Sequence, residues 1–247
     1  MTDPIRIAIV NPNTTRSMTD AVVAYAASVA RHDTRIVGIT PAKGVPSVES
    51  HRDEVWGAVS VLTEVERAEL GEERPDAYVI ACFGDTGVPP AREAAAGPVV
   101  GMTEAALMTA ALIAHRFTII TMPRRTMEQS DRVVRSLGFG HRCVVRAVDE
   151  PVAEVQGSSR HLLGLFVAEG RRALADDSAE AIILGCAGLS DLVGPLQHQL
   201  GVPVIEGVAA GLSLAEGLVA QRLSTSRVAT WAESPPPANT STKGAVT

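Results

Sequence analysis

The chain has 247 residues, of which 46% are hydrophobic and 3% aromatic, and its formal net charge at pH 7 is −6. This length and apolar content allow one large domain or two small ones, each with a buried core. Because Lys and Arg form no runs and aromatic residues are few, the chain lacks the means to track phosphates or stack bases, which excludes nucleic acid as an expected partner.

Segments typical of membrane insertion or secretion are also missing from the sequence. No window approaches the roughly 20 apolar residues that span a bilayer, and no basic region precedes a long apolar stretch at the N-terminus. Three cysteines at scattered positions suit neither a disulfide framework nor a paired zinc site. We therefore expect a cytoplasmic protein with reduced thiols and no membrane partner.

Short apolar runs rich in β-branched residues alternate with longer stretches of helical spacing along the chain. In chain order the short runs predict strands at 5–10, 35–39, 77–81, 99–101, 117–121, 142–148, 181–184 and 204–205. The stretches between them predict helices at 15–30, 51–70, 103–114, 126–137, 159–175, 190–200 and 208–221. This alternation is typical of βα units around parallel sheets.

An internal repeat divides the chain into two similar halves. The segment Tyr78-Val-Ile-Ala-Cys82-Phe-Gly84 returns 104 residues later as Ile182-Ile-Leu-Gly-Cys186-Ala-Gly188. We therefore predict an α/β fold of two similar parallel-sheet subdomains related by pseudo-two-fold symmetry. The expected units are residues 1–102 and 103–223, with the last helix able to pack back on the first half. Residues 224–247, where apolar periodicity stops, are expected to form a disordered tail.

Cys82 and Cys186 occupy equivalent positions in the repeat, each after a predicted strand and before a helical stretch. That place is the carboxyl edge of a parallel sheet, where ligands bind. A helix N-terminus favours the thiolate, whereas a single cysteine after a buried strand is more often a core residue. Because two stand at matched positions, we predict that both are catalytic and face a ligand from opposite sides. Removing a proton from one face of a carbon and delivering one to the other is racemisation or epimerisation.

Other candidate substrate contacts surround the two cysteines at the same sheet edge. Turn residues after each cysteine could present backbone N–H groups to an enolate oxygen, although simple turn chemistry explains them equally. Polar side chains after the first strand and before the second helix either bind a ligand or cap a helix. The substrate-binding candidates are Asn13, Thr14, Ser50, Phe83, Gly84, Asp85, Thr121, Ala187 and Gly188. Cys143 lies inside an apolar run without a counterpart in the repeat, and we expect it to be structural.

Motifs for metals, phosphates and nucleotides are missing from the sequence. The chain has no HExxH, no GxxxxGK followed by Ser or Thr, and no GxGxxG after its first strand, and its six histidines show no shared ligand spacing. Lys43 and Lys243 are the only lysines, and neither ends a predicted strand as a pyridoxal site requires. We therefore expect chemistry without a metal or cofactor.

Five segments between Arg6 and about Gln221 carry a family resemblance. They are Val10-Asn-Pro-Asn-Thr-Thr15, Val48-Glu-Ser50, Val79-Ile-Ala-Cys-Phe-Gly-Asp85, Leu184-Gly-Cys-Ala-Gly188 and Val202-Pro-Val-Ile-Glu-Gly207. Together they resemble the aspartate/glutamate racemase superfamily, and within it the hydantoin and allantoin racemases. The resemblance implies two α/β subdomains with the active site between them, Cys82 and Cys186 as acid and base, no cofactor, and association into a homo-oligomer. Thr86 stands where family members commonly have proline, beside the expected site.

The resemblance leaves more than one reaction open, because relatives without one cysteine act as decarboxylases and others with both isomerise maleate. We expect a cofactor-independent racemase whose partner is a small molecule, a 5-substituted hydantoin, with proton abstraction and return at C5. The alternatives are an allantoin racemase, a maleate cis-trans isomerase-like enzyme, and a two-lobed ligand-binding module without catalysis.

Overall fold

Two four-stranded parallel sheets with the same strand order form the framework of the protein. The computed structural model describes residues 4–152 and 159–232. The first sheet has the order β2-β1-β3-β4 and the second the order β6-β5-β7-β8. Their strands are β1 (Ile5–Val10), β2 (Thr34–Ile39), β3 (Ala77–Ile80), β4 (Val99–Gly101), β5 (Phe117–Thr121), β6 (Cys143–Ala147), β7 (Ala181–Gly185) and β8 (Val204–Glu206). The predicted fold class, two similar parallel-sheet α/β subdomains, is confirmed.

Eight α-helices connect and cover these strands within the described residues. They are α1 (Arg16–Val29), α2 (His51–Glu69), α3 (Val88–Ala94), α4 (Met102–Ile113), α5 (Met127–Ser136), α6 (Ser159–Asp176), α7 (Val193–Leu200) and α8 (Gly207–Ala220). Helix α3 was not among the predicted helices because it is short and contains Pro89 and Pro90. Proline is compatible with the first turn of a helix, whose N–H groups have no helical partner, and both prolines stand in that turn.

The core follows from the alternation of side chains along the strands. In β1, Ile7 and Ile9 face a central core, whereas Ala8 and Val10 face an outer cluster with α2 and α3. The central core also contains buried residues of the second sheet, such as Ile183, together with the apolar faces of α4 and α8. Burying one such aliphatic side chain stabilises the fold by about 1.5–3 kcal/mol. One continuous core therefore joins the two sheets.

The strand registers define which residues correspond in the two halves. Ile80 in β3 pairs with Gly101 in β4, and Leu184 in β7 pairs with Glu206 in β8. Cys82 lies two residues after Ile80, and Cys186 lies two residues after Leu184. Gly101 and Glu206 are therefore structural counterparts, although their side chains are unrelated.

The C-terminal part of the described chain returns to the first half. Helix α8 packs against β1, β3 and α4. After α8, the Arg227 guanidinium donates hydrogen bonds to the backbone oxygens of Arg92 and Glu93, at 3.0 and 2.8 Å. The Arg92 guanidinium lies 5.7 Å from the ring centre of Trp231. Residues 224–232, the first part of the predicted tail, thus lie against α3, and residues 233–247 lie outside the described part.

No helix in the described ranges is both long and apolar enough to span a bilayer.

Candidate active site

A small cavity brings the two repeated cysteines together. Cys82 follows β3, and Cys186 follows β7 at the start of a 3-10 helix over Ala187–Leu192. Both side chains line a cavity of about 50 Å³ that also receives residues from the ends of β1 and β5. Much of its wall is apolar, formed by Pro12, Met18, Val48, Phe83, Met122 and Val152. A volume of this size holds a few water molecules, so the walls have to move apart to admit a ring-sized ligand.

The Cys82 thiol is half-buried and held by its own loop. Its Sγ donates to Thr86 Oγ1 at 3.5 Å and lies 3.6 Å from the backbone oxygen of Phe83. Burial raises the pKa of Cys82 to about 12; the hydrogen bond with Thr86 opposes this shift, and the charge of Asp85 adds to it. Thr86, the residue that departs from the family pattern, is thus a direct partner of the thiol.

The Cys186 thiol is more deeply enclosed, with 8% of the residue exposed. Burial raises its pKa to about 11, the backbone N–H of Gly188 opposes the shift, and the charges of Glu206 and Glu49 add to it. Both thiols are therefore protonated at neutral pH. The expectation that helix N-termini favour the thiolates is wrong for these sites, because the cost of burying the charge is larger than the stabilisation by nearby N–H groups.

Cys143 lies apart from this cavity. It is the first residue of β6, is 7% exposed, and packs in the central core. Its Sγ lies 3.7 Å from the backbone oxygen of Val144. These surroundings agree with the structural role expected for it.

Asn13 presents an amide donor to the cavity. Its Oδ1 accepts hydrogen bonds from Asn11 Nδ2 at 3.0 Å and from the Thr15 N–H at 2.9 Å, which fixes the orientation of the amide. Its Nδ2 has a weak partner, the Met18 sulfur at 3.8 Å. Because an amide nitrogen carries two protons, Asn13 keeps donor capacity for a ligand.

Thr14 and Ser50 hold the backbone beside the cavity rather than lining it. The Thr14 N–H donates to the Val45 oxygen at 2.9 Å, and the Ser50 hydroxyl accepts from the Asp53 N–H at 3.2 Å, capping α2. Ser47 and Val48, in the same segment, line the cavity instead. The sequence therefore predicted the correct segment before α2, but the predicted residue, Ser50, caps the helix and does not line the cavity.

The turn after Cys82 uses its backbone N–H groups internally. The Gly84 N–H donates to Thr103 Oγ1 at 2.8 Å, and the Asp85 N–H donates to the Cys82 oxygen at 3.1 Å. The Asp85 carboxylate accepts from the N–H groups of Thr103 and Glu104, at 2.8 and 2.9 Å. Gly84 and Asp85 therefore anchor the loop to α4, which does not support the expectation that their N–H groups hold an enolate oxygen.

The corresponding groups of the second half are nearer to the cavity. Ala187 lines it, and the Gly188 N–H faces the Cys186 sulfur. Thr121 also lines the cavity, but its hydroxyl donates to the Gly185 oxygen at 3.1 Å and lies 3.1 Å from Thr126 Oγ1. Thr121 thus joins the ends of β5 and β7 beside Cys186.

Within residues 4–152 and 159–232, no three His, Cys, Asp or Glu side chains come together as a metal site requires.

Comparisons with known proteins place the chain in one family. Residues 7–215 match the family model described as Asp/Glu/Hydantoin racemase. Two hydantoin racemases are each 39% identical to the chain. The alignment with the enzyme of Pseudomonas sp. (strain NS671) covers 92% of this chain and 91% of that enzyme. The alignment with the enzyme of Rhizobium meliloti covers 92% of this chain and 94% of that enzyme. The solved structure of an allantoin racemase from Klebsiella pneumoniae superposes with a TM-score of 0.89 at 39% identity, covering 94% of each chain.

Proposed function

The chain belongs to the Asp/Glu/hydantoin racemase family and is a racemase, and we propose that it interconverts the enantiomers of 5-substituted hydantoins without a cofactor, with Cys82 and Cys186 as acid and base. The observation that carries this proposal is the pair of repeat-related thiols that line one cavity, one from each half of the fold. A two-lobed binding module gives no reason for matched thiols at this place.

The reaction needs one thiolate and one thiol at the same time. The C5 proton of a hydantoin is acidic because the adjacent ring carbonyl delocalises the carbanion. The thiolate takes this proton from one face, the other thiol delivers its proton to the opposite face, and the two sulfurs exchange protonation states. For the other enantiomer the roles are reversed. The Asn13 amide is the group best placed to donate a hydrogen bond to the enolate oxygen.

The lining of the cavity supports a neutral substrate. Its polar side chains are those of Asn13, Ser47, Thr121 and the two cysteines, and no charged side chain lines it within the described ranges. A free amino acid or maleate would bring carboxylates that need a cation or several donors on burial. A neutral hydantoin ring needs neither, so the lining favours hydantoins over aspartate, glutamate and maleate.

Allantoin is the second candidate substrate, because the allantoin racemase structure is as similar in sequence as the hydantoin racemases. Allantoin is a hydantoin with a polar ureido group at C5. The apolar wall of the cavity, with Met18, Val48 and Phe83, suits an apolar substituent better. We therefore place hydantoins with apolar substituents first.

Polarimetry with single enantiomers tests this proposal. Benzylhydantoin, isopropylhydantoin, allantoin, aspartate and glutamate are incubated with the enzyme, with buffer alone to measure spontaneous racemisation, and with Cys143→Ser as a folded control. We expect the rotation of both apolar hydantoins to decay to zero faster than that of allantoin, with the amino acids unchanged. Decay with an amino acid alone, or no enzymatic decay with any compound, would contradict the proposal.

The proposal includes a cytoplasmic location and self-association. Cys82, Cys143 and Cys186 are all free thiols, as is typical of proteins in reducing compartments. Val55, Trp56 and Val59 are more than half exposed on α2, and exposed apolar side chains at neighbouring helical positions are typical of association surfaces.

A further inference from the structure

Two carboxylates, one half-buried and one buried, cap the two helices that run through the central core. The Asp85 carboxylate accepts hydrogen bonds from the N–H groups of Thr103 and Glu104, in the first turn of α4. The Glu206 carboxylate accepts from Val208 and Ala209, both at 2.9 Å, in the first turn of α8. Each carboxylate thus satisfies two N–H groups that have no helical partner.

The two caps come from different positions of the repeat. Glu206 is the last residue of β8, and its counterpart at the end of β4 is Gly101. A β-carbon at Gly101 would lie 2.5 Å from the carboxyl carbon of Asp85. The Asp85 carboxylate therefore occupies the place that a side chain at 101 would take. In the second half the residue 104 positions after Asp85 is Leu189, and the strand end supplies the carboxylate instead.

Each carboxylate is also connected to the cysteine of its own half. Asp85 lies in the loop that begins with Cys82, and its backbone is left-handed, with φ of 55°. Asp is one of the few residues other than glycine that adopt this conformation, and its carboxylate and backbone bonds hold it in place. The charges that face the Cys82 thiol are those of Asp85, Cys186 and Glu54, and Glu104 faces Asp85 itself.

Glu206 stands in the same relation to Cys186. It is 3% exposed, and its charge and that of Glu49 act on the Cys186 thiol. Burial raises the pKa of Asp85 to about 7, with the charge of Glu104 adding to the shift, and burial raises the pKa of Glu206 to about 7. Both carboxyl groups therefore gain their charge as the pH rises through neutrality.

We infer that Asp85 and Glu206 are equivalent positioning residues, each of which anchors a core helix beside its own cysteine and controls how readily that thiol releases its proton. The inference rests on the proposed function for the role of the thiols. The controlled property, thiol acidity, can be measured without any substrate, so its test is independent of the racemase assay.

Alkylation of single-thiol variants tests this inference. The double variant Cys143→Ser/Cys186→Ser keeps Cys82 as its only thiol, and Cys82→Ser/Cys143→Ser keeps Cys186. The rate of labelling by iodoacetamide at about pH 8.5, followed by mass spectrometry, measures the thiolate fraction of the remaining cysteine. An uncharged amide at 85 lowers the pKa of Cys82. The larger thiolate fraction outweighs the weaker nucleophilicity of a less basic thiolate, so the labelling rate rises about threefold. Glu206→Gln does the same for Cys186.

The crossed combinations and a distant carboxylate serve as controls. Asp85→Asn leaves labelling of Cys186 within error, and Glu206→Gln leaves that of Cys82 within error. Glu216→Gln removes a buried carboxylate that lies in α8, ten residues after Glu206, and accepts hydrogen bonds from Arg31 and Thr34. This variant leaves the labelling rate of both thiols unchanged. Equal effects of Asp85→Asn on both thiols, or no effect on Cys82, would overturn the inference.

If Asp85→Asn folds poorly, a second test moves the carboxylate of the first half to the position that it has in the second half. Asp85→Leu combined with Gly101→Glu gives the first half the arrangement of the second. We expect the double variant to melt above Asp85→Leu alone and to return Cys82 labelling towards the wild-type rate. With substrate, Asp85→Leu lowers kcat more than it changes KM, and the double variant recovers kcat. A double variant no better than Asp85→Leu in melting and labelling refutes the equivalence of the two caps.

Discussion

Burial determines the protonation of the two thiols and with it the condition for catalysis. Water stabilises a thiolate far better than the apolar wall around Cys82 and Cys186 does. With pKa values raised to about 12 and 11, the form with one thiolate and one thiol is a small fraction of the enzyme at neutral pH. In the proposed mechanism, the same burial protects the carbanion from water and strengthens each hydrogen bond to it.

The pH dependence of racemisation follows from these shifted thiols. A raised pKa means that the base becomes available only as pH rises, so kcat/KM for isopropylhydantoin increases between pH 6 and 8, by up to about tenfold per unit. The slope is smaller where Asp85 and Glu206 become charged, because their charges raise the pKa of the thiols. Initial polarimetric rates, corrected for the spontaneous reaction, measure this profile. A flat profile over the range would show that the base is already ionised at pH 6 and therefore has a lowered pKa.

Asn13→Asp tests the proposed donor to the enolate oxygen. The carboxylate still accepts from Asn11 and Thr15, so the loop keeps its shape and the melting temperature stays close to that of the wild type. The donor is lost and a negative charge faces the developing enolate, and removal of one such donor costs about 100-fold in kcat. A kcat within threefold of the wild type, measured by polarimetry, would exclude Asn13 from this role.

At the level of elements, the alternation of strands and helices could be predicted because buried parallel strands read as short apolar runs. The matched cysteines followed from the repeat, since a duplicated segment keeps its place at the sheet edge. Of the predicted contacts, Asn13, Phe83, Thr121 and Ala187 line the cavity. The choice between neighbouring residues of one loop could not be predicted, because it depends on which residue caps a helix. Ser50 and Asp85 are such caps, and Ser47, three residues before the cap of α2, reaches the cavity instead.

Contact between β5 and β7 leaves no room for a side chain at Gly185. A β-carbon there would lie 2.6 Å from Thr121 Cα, so Gly185→Ala must push the strands apart beside Cys186. We expect a loss of about 1–3 kcal/mol in stability, as for overpacked cores, and a fall in kcat. Thermal melting and polarimetry measure the two effects.

Gly194→Ala in α7 is the matched control for this change. No atom lies within 4 Å of a β-carbon at Gly194, and alanine favours a helix over glycine, so this variant should melt at or above the wild-type temperature. If Gly185→Ala melts like the wild type, the close approach of the two strands does not determine the position of Cys186.

At the scale of the whole molecule, the site exists because two similar halves share one core. Ile9 and Ile183 come from different sheets and pack in the same cluster with α4 and α8. This shared core holds the loop of Cys82 and the loop of Cys186 beside one cavity. Neither half alone contains both thiols, so a reaction that needs two faces of a carbon requires the complete pair of subdomains.

Hydrogen exchange at C5 in the single variants measures the two-face mechanism most directly. Cys82→Ser and Cys186→Ser are each incubated with each pure enantiomer of isopropylhydantoin in D2O, and NMR follows deuterium incorporation while polarimetry follows configuration. Serine is too weak an acid to replace a thiol, so net racemisation falls by at least about 100-fold in both variants. The remaining cysteine still exchanges the hydrogen on its own face, so each variant labels one enantiomer with retention and the two variants prefer opposite enantiomers. Racemisation near the wild-type rate in both variants, or exchange of the same enantiomer by both, would contradict the mechanism.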